Sequence, residues 1–238
     1  MFANSPQVKS SQRVQHPRLD EIVIRHLRVP FRREPGDLGR AAFKRVEERL
    51  AQAPFILDAG CGTGAGTFAL AREFPRHLIV GVDKSAARLG VGQRLIATGG
   101  MPSNALLLHC ELVDFWQLAA AAGLRCEKQF VLYPNPWPKP EQLKRRWHAH
   151  PVLPAMLALG GEIELRTNWR AYAEEFVKSM RLAGRDAHVE VLIATQPLTA
   201  FERKYAASGH ALWRCHSRKP RRHSRESGNP FFAFESIK

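Results

Sequence analysis

The sequence predicts an α/β protein: a mostly parallel sheet of six to seven strands, helices on both faces, and an antiparallel pair at the C-terminal edge. Strand-like and helix-like segments alternate strictly through the middle of the chain. The strands are near-continuous apolar runs, as strands covered on both faces must be. Near the C-terminus two strand patterns follow one another with no helical pattern between them, which leaves antiparallel pairing as the short connection.

Residues 1–36 read as a polar, basic arm with Pro6, Pro17, Pro30 and Pro35 scattered along it and Arg25, Arg28, Arg32 and Arg33 clustered late. The arm is expected to be flexible, either solvated or gripping a phosphate backbone. From Asp37 the apolar spacing turns helical (Leu38, Ala41, Ala42, Val46, Leu50) and opens a domain expected over residues 37–215. Strands are predicted at 55–58 (FILD), 78–82 (LIVGV), 105–108 (ALLL), 129–133 (QFVLY) and 162–166 (EIELR). Helical patterns fall at 66–74, 85–98, 112–122, 141–158 and 169–182, and the closing strand pair at 188–195 and 210–215. The stretch 216–238 shows neither periodicity and is expected to be a disordered basic tail. At 238 residues and 45% apolar composition the chain suits one core with attachments.

Charge narrows the partners. Lys and Arg number 36 against 22 Asp and Glu, a formal net charge of +14, which predicts attraction to a polyanion. The C-terminal stretch from His216 holds six of the basic residues against Glu226 and Glu235, so most of the excess belongs to the body. Cys61, Cys110, Cys126 and Cys215 form no CxxC pair, so neither a zinc site nor a disulfide framework is expected and a reducing cytosol fits. His148 and His150, with one residue between them on a predicted helix, point to different faces and make no metal site. No uninterrupted run of about 18 apolar residues exists, so a membrane span is not expected and the protein reads as cytoplasmic.

LDAGCGTGAG, residues 57–66, falls where the first strand meets its helix. Gly60, Gly62 and Gly64 let the backbone bend and approach a ligand at the carboxyl end of a strand. The spacing also fits the dinucleotide fingerprint. Asp58 argues against that reading, because a carboxylate beside a pyrophosphate is unfavourable but suits an amino-acid ammonium, and S-adenosylmethionine carries an ammonium and no phosphate. Asp83, ending the second strand, can accept from ribose hydroxyls of either cofactor. Glu111, after the third strand, either reaches the adenosine or simply favours a helix N-terminus.

The stretch YPNPWPKPEQLKRR, residues 133–146, follows the fourth strand. Four prolines forbid a continuing strand or a helix interior and make it a shaped loop. Trp137 between them offers a face for an unstacked base, while Lys139, Lys144, Arg145 and Arg146 can neutralise neighbouring phosphates. The plainer alternative makes Trp137 a core plug and the basic run a solvated face.

These residues resemble the bacterial tRNA guanine-N7 methyltransferases from about Phe55 to Trp213. The family's aromatic-Pro-Asp-Pro-Trp turn followed by Lys and Lys-Arg-Arg is similar to YPNPWPK and KRR here, its Thr-Asp-Trp to Thr167-Asn168-Trp169, and its Thr-x-Phe-Glu to Thr199-Ala200-Phe201-Glu202. The resemblance implies a Rossmann-like class I methyltransferase fold, S-adenosylmethionine as donor and a tRNA variable-loop guanine as acceptor. By matched motif it implies Asp58, Asp83, Glu111 and Asn135 around the cofactor, with Asn135 also as the candidate catalytic residue, and Lys139, Asn168 and Thr199 through Glu202 around the substrate. Two departures stand out, since Asn135 and Asn168 replace aspartates. Guanine N7 has an in-plane lone pair and no proton, so its methylation needs alignment rather than a base. A carboxylate would stabilise the cationic product ring more than an amide does, and such preorganised groups are commonly worth about 2.7 to 4 kcal/mol. A catalytically impaired tRNA-binding paralogue, or methylation of another base or a small molecule, are the alternatives. The NPW turn also resembles, more weakly, the Asn-Pro-Pro-aromatic turn of amino-group DNA methyltransferases.

Overall fold

A computed structural model describes residues 5–12, 14–97 and 102–220. Its strands are β1 (Phe55–Ala59), β2 (Leu78–Asp83), β3 (Ala105–His109), β4 (Lys128–Leu132), β5 (Glu162–Thr167), β6 (Asp186–Val191) and β7 (Trp213–Arg218). They form one sheet in the order β3-β2-β1-β4-β5-β7-β6. β1 to β5 pair in parallel, whereas β7 runs antiparallel to both β5 and β6. The expected architecture of six to seven strands with an antiparallel edge pair is thus the observed one. The strand order reverses between β1 and β4, and in open α/β sheets the crevice at such a switch point is where ligands bind. The glycine bend leaves β1 and the proline-tryptophan loop leaves β4, so topology alone brings the two motifs to one crevice.

The pleat assigns the side chains. Phe55, Leu57 and Ala59 of β1 join Leu78, Val80 and Val82 of β2 in the larger core, while Ile56 and Ile79 turn to a smaller core with Phe68, Phe130 and Leu132. Asp58 and Asp83 share the parity of Ile56 and Ile79 and lie where the smaller-core face ends. That face is covered by α4 (Ala65–Glu73) and α5 (Ala86–Ala97). The larger core is covered by α1 (Leu19–Arg28), α2 (Asp37–Lys44), α3 (Glu47–Gln52), α6 (Leu112–Ala121), α7 (Leu153–Leu159) and α8 (Arg170–Leu182). Within it Gln129 is fully satisfied, accepting from Trp116 Nε1 at 3.0 Å and donating to the Met156 and Gly160 carbonyls. None of the helices in the described residues is long and apolar enough to cross a membrane.

Four expectations are corrected. The segment expected as a flexible arm contains α1, whose Leu19, Ile22 and Val23 are buried in the larger core and whose His26 ring lies 3.0 Å from the Ala149 carbonyl. The helix-spaced apolar residues outweigh the prolines around them, while Arg25, Arg28, Arg32 and Arg33 stay exposed. The single helix expected over 141–158 is a 3-10 turn (Pro140–Arg145), a second one (Trp147–Ala149) and α7, because Pro151 interrupts the run. A helix, α9 (Ala200–Ala207), does separate the last two strands. At eight residues it spans the carboxyl edge without carrying the chain back along the sheet, so β7 still returns antiparallel. Finally β7 continues through Arg218, so the expected tail begins inside a paired strand; residues 221–238 lie outside the described residues.

Candidate active site

The glycine bend is fastened from beneath by β2. The Gly60 and Cys61 amides donate to the Val82 carbonyl at 2.9 and 3.0 Å, and the Gly62 amide donates to Asp83 Oδ2 at 2.9 Å. Gly60, Gly62 and Gly64 have φ of 81°, 61° and 81°, the left-handed region that costs other residues about 1–2 kcal/mol. A Cβ on Gly60 or Gly62 would meet nothing within 4 Å, so the space above the bend is open. Gly81 is required for another reason: a Cβ there would lie 2.4 Å from Thr67 Oγ1.

That threonine hydroxyl donates to Asp58 Oδ2 at 2.7 Å. Burial, against the help of this bond and with Asp83 nearby, pushes the Asp58 carboxyl up to about 6. It is a buried carboxylate short of a cation. Asp83 is oriented by the Ser85 amide at 2.8 Å as well as by Gly62. Glu111 is the residue before α6, half exposed, with Lys84 Nζ at 3.7 Å, so both its helix-start role and its reach toward the bend survive. The set fits S-adenosylmethionine: a buried anion for the ammonium, a carboxylate at the end of β2 for ribose hydroxyls, and a glycine floor with room above it.

The loop after β4 is strained and strongly held. Tyr133 and Trp137 have φ of 51° and 46°, rare for side chains of this size. Asn135 Oδ1 accepts from the Trp137 amide at 3.3 Å, turning the loop locally. The Trp137 carbonyl accepts from Arg146 Nε and Nη2 at 3.2 and 3.0 Å. Arg146 is therefore not a phosphate-binding residue as expected; it is 0% exposed, paired with Glu175, bonded to Gln12 Oε1 at 3.0 Å and stacked over Trp169 at 4.7 Å. Glu175 also accepts from Gln12 Nε2, the His16 amide and His148 Nε2. Burial alone would raise the Glu175 carboxyl, but His148, Arg146 and the His16 amide outweigh it and hold the group at about 2. His148 thus sits inside this network, whereas His150 Nδ1 accepts from the Val152 amide at 3.0 Å, and Ser10 adds a bond from its hydroxyl to the Pro138 carbonyl. Sequence reasoning missed that Gln12, Ser10 and Glu175 carry the loop, and no spacing in the sequence pointed to them.

Asn135, Lys139, Lys144 and Arg145 are exposed. Arg145 lies over the Trp137 ring at 4.7 Å, while Lys144 faces α1, where its charge acts on Glu21 and His26. Across the crevice Thr199 caps α9, its hydroxyl accepting from the Glu202 amide at 3.0 Å. The Thr199 methyl and Asp58 Oδ2 approach the same point, 3.3 and 3.4 Å from where a Gly66 Cβ would stand. The substrate block expected from the sequence therefore abuts the cofactor bend. Within it Glu202 is 0% exposed, with both oxygens held by Arg166 at 3.0 and 3.2 Å, so its carboxylate anchors α9 to β5 instead of facing a substrate. Phe201 is exposed and stacked on Tyr205, which in turn lies 5.6 Å from Tyr133. Asn168, at the end of β5, bonds to His210, a residue the sequence reading did not single out.

The sheet with its antiparallel edge, the glycine floor and the acidic residues closing β1 and β2 define a class I methyltransferase. Residues 52–215 match the family model described as "Putative methyltransferase". A tRNA (guanine-N(7)-)-methyltransferase from Acidithiobacillus ferrooxidans is 31% identical across 71% of this chain and 78% of its own length. One from Pseudomonas savastanoi pv. phaseolicola is 26% identical across 88% of this chain and 93% of its own. The chain belongs to this family of bacterial methyltransferases. Among solved structures, an antibiotic-related methyltransferase superposes with a TM-score of 0.56 at 16% identity, covering 74% of this chain and 94% of its own. The 16S rRNA methyltransferase KamB gives 0.53 at 20% identity, covering 81% and 99%. At these identities both likenesses speak to the fold.

Proposed function

We propose that this enzyme transfers a methyl group from S-adenosylmethionine to N7 of a guanine in the tRNA variable loop. The observation that carries the reading is the meeting of Thr199 with Asp58 and Gly66, which sets the substrate block against the donor bend. Relatives bearing the name tRNA (guanine-N(7)-)-methyltransferase over most of both chains support the choice of acceptor. The cofactor supplies an electrophilic methyl. Asp58 would hold its ammonium, Asp83 its ribose and Glu111 its adenosine side. Trp137, Lys139 and Arg145 present an aromatic face and positive charge to a single-stranded loop, while Lys144, turned toward α1, is left out of the contact, and Asn135 and Asn168 offer amides to the base. No residue has to remove a proton, because N7 has none to lose.

The test is transfer of labelled methyl from the donor to unmodified tRNA, with the product atom located. Label at N7 of a variable-loop guanine is expected; no transfer to tRNA with donor binding intact would overturn the reading. The two asparagines support a second one, a tRNA-binding paralogue with impaired catalysis. It requires Asn135→Asp/Asn168→Asp to create activity where the wild type has none, and a wild-type rate matching that of the double variant removes it.

A further inference from the structure

His210 joins three parts of the molecule that the glycine bend does not need. It follows α9, and its ring is buried and stacked on Tyr205 with centroids 5.2 Å apart and planes 13° apart. Both ring nitrogens are engaged, Nδ1 lying 3.1 Å from the Asn168 amide nitrogen and Nε2 2.8 Å from the Ser5 carbonyl oxygen. A carbonyl oxygen only accepts, so Nε2 must carry hydrogen. The neutral ring then has a lone pair at Nδ1, which takes a hydrogen from the Asn168 NH₂ group. The ring's partners are Tyr205, Asn168 and a backbone carbonyl, none of them a charged group. The amide of Asn168 is thereby oriented: its nitrogen faces the histidine, and its oxygen, which has no hydrogen-bond partner among the described residues, remains an acceptor.

We propose that His210 is a positioning residue that fixes Asn168 with its oxygen turned to the substrate base, so that the cleft reads a purine N–H edge with a neutral acceptor. This rests on the tRNA-guanine reading above. Guanine presents donors at N1 and N2 and acceptors at O6 and N7. An acceptor at position 168 pairs with the donor edge and leaves N7 free. An aspartate there has oxygens that only accept, so facing Nδ1 it requires a second proton on the ring and turns the pair into a carboxylate and an imidazolium. Asn168 is matched to a neutral histidine, which makes the substitution part of a coherent pair with His210.

Two-bond proton–nitrogen NMR correlation on the full chain with labelled histidine, assigned with His210→Phe, reads the ring directly. Hydrogen on Nε2 and a lone pair on Nδ1 are expected from the contacts in the wild type, and hydrogen on both nitrogens in Asn168→Asp; hydrogen on Nδ1 in the wild type, or no change in the variant, would overturn the pairing. A cycle of Asn168→Ala and His210→Phe then tests the consequence, since phenylalanine keeps the stack on Tyr205 and loses both nitrogens. Each single variant is expected to lose about tenfold in kcat/KM on tRNA with donor affinity retained, and the double variant to be no worse than Asn168→Ala alone. Additive losses would show that His210 does not act through Asn168. If the wild type methylates no tRNA guanine, the proposed function fails, and the ring measurement still decides the pairing.

Discussion

The two walls of the crevice are built on different principles. The glycine-bend wall, proposed above as the donor's seat, is made of backbone: glycines at positive φ, amides tied to β2, and carboxylates placed by strand parity. The opposing wall is an irregular loop and a short helix, each held from behind by a buried ion pair, Arg146 with Glu175 and Arg166 with Glu202. Regular strands position a small cofactor through geometry they already have. A loop with Tyr133 and Trp137 in left-handed conformations stores about 1–3 kcal/mol per residue and persists only where surrounding contacts over-determine it. Here those contacts come partly from the N-terminal segment, through Gln12 and Ser10.

The sharpest way to break this contrast is Glu175→Gln. It leaves Arg146 buried without a counter-charge, and a loss of about 3–5 kcal/mol in denaturant unfolding is expected. Acid separates the walls by sign. Glu175 lies at about 2, below its ordinary 4.5, so its stabilisation is complete above 4.5 and is lost as pH falls from there toward 2, a slope the variant lacks. Gly62→Ala is next: its methyl meets no protein atom, so stability should fall only by the backbone cost of about 1–2 kcal/mol while donor affinity collapses, as isothermal titration will read.

Asp58 responds to acid in the opposite direction. Its carboxyl is raised to about 6 by burial, so the penalty for the ionised form is present above 6 and is relieved as pH falls from 6 toward 3.8. Donor affinity moves the other way, flat above pH 6 and weakening by about tenfold per pH unit below it as protonation competes with the ammonium. The smallest effect belongs to Arg145→Ala, which removes a contact with Trp137 worth about 0.5–1 kcal/mol. It should lower the salt slope of tRNA binding by about one without touching donor affinity.

The same contrast explains what the sequence disclosed. The geometry of the glycine bend was legible because strand parity and glycine spacing are local rules, and Asp58, Gly60, Gly62, Gly64 and Asp83 all stand at the bend where the pattern put them. The loop wall was legible only in outline. Four prolines announced a shaped turn, but Lys144, Arg145 and Arg146 look alike as a basic run, and only tertiary structure sends Arg146 inward to a glutamate 29 residues away. α1 was hidden by flanking prolines, although Leu19, Ile22 and Val23 have helical spacing. α9 had a local signal that went unread as a helix start, the Thr199-x-x-Glu202 cap. His210 had none, since its partners Ser5 and Asn168 are distant in sequence.

The most direct test is calorimetric titration of S-adenosylmethionine into the full chain and into Asp58→Asn at pH 7.5. Asparagine keeps an acceptor for the Thr67 hydroxyl and removes the charge that the ammonium needs. One-site binding to the wild type, weakened at least about tenfold in the variant, is the result expected. A folded wild type that takes up no donor, or a variant that binds as tightly, would contradict the assignment of the glycine bend as the donor's seat.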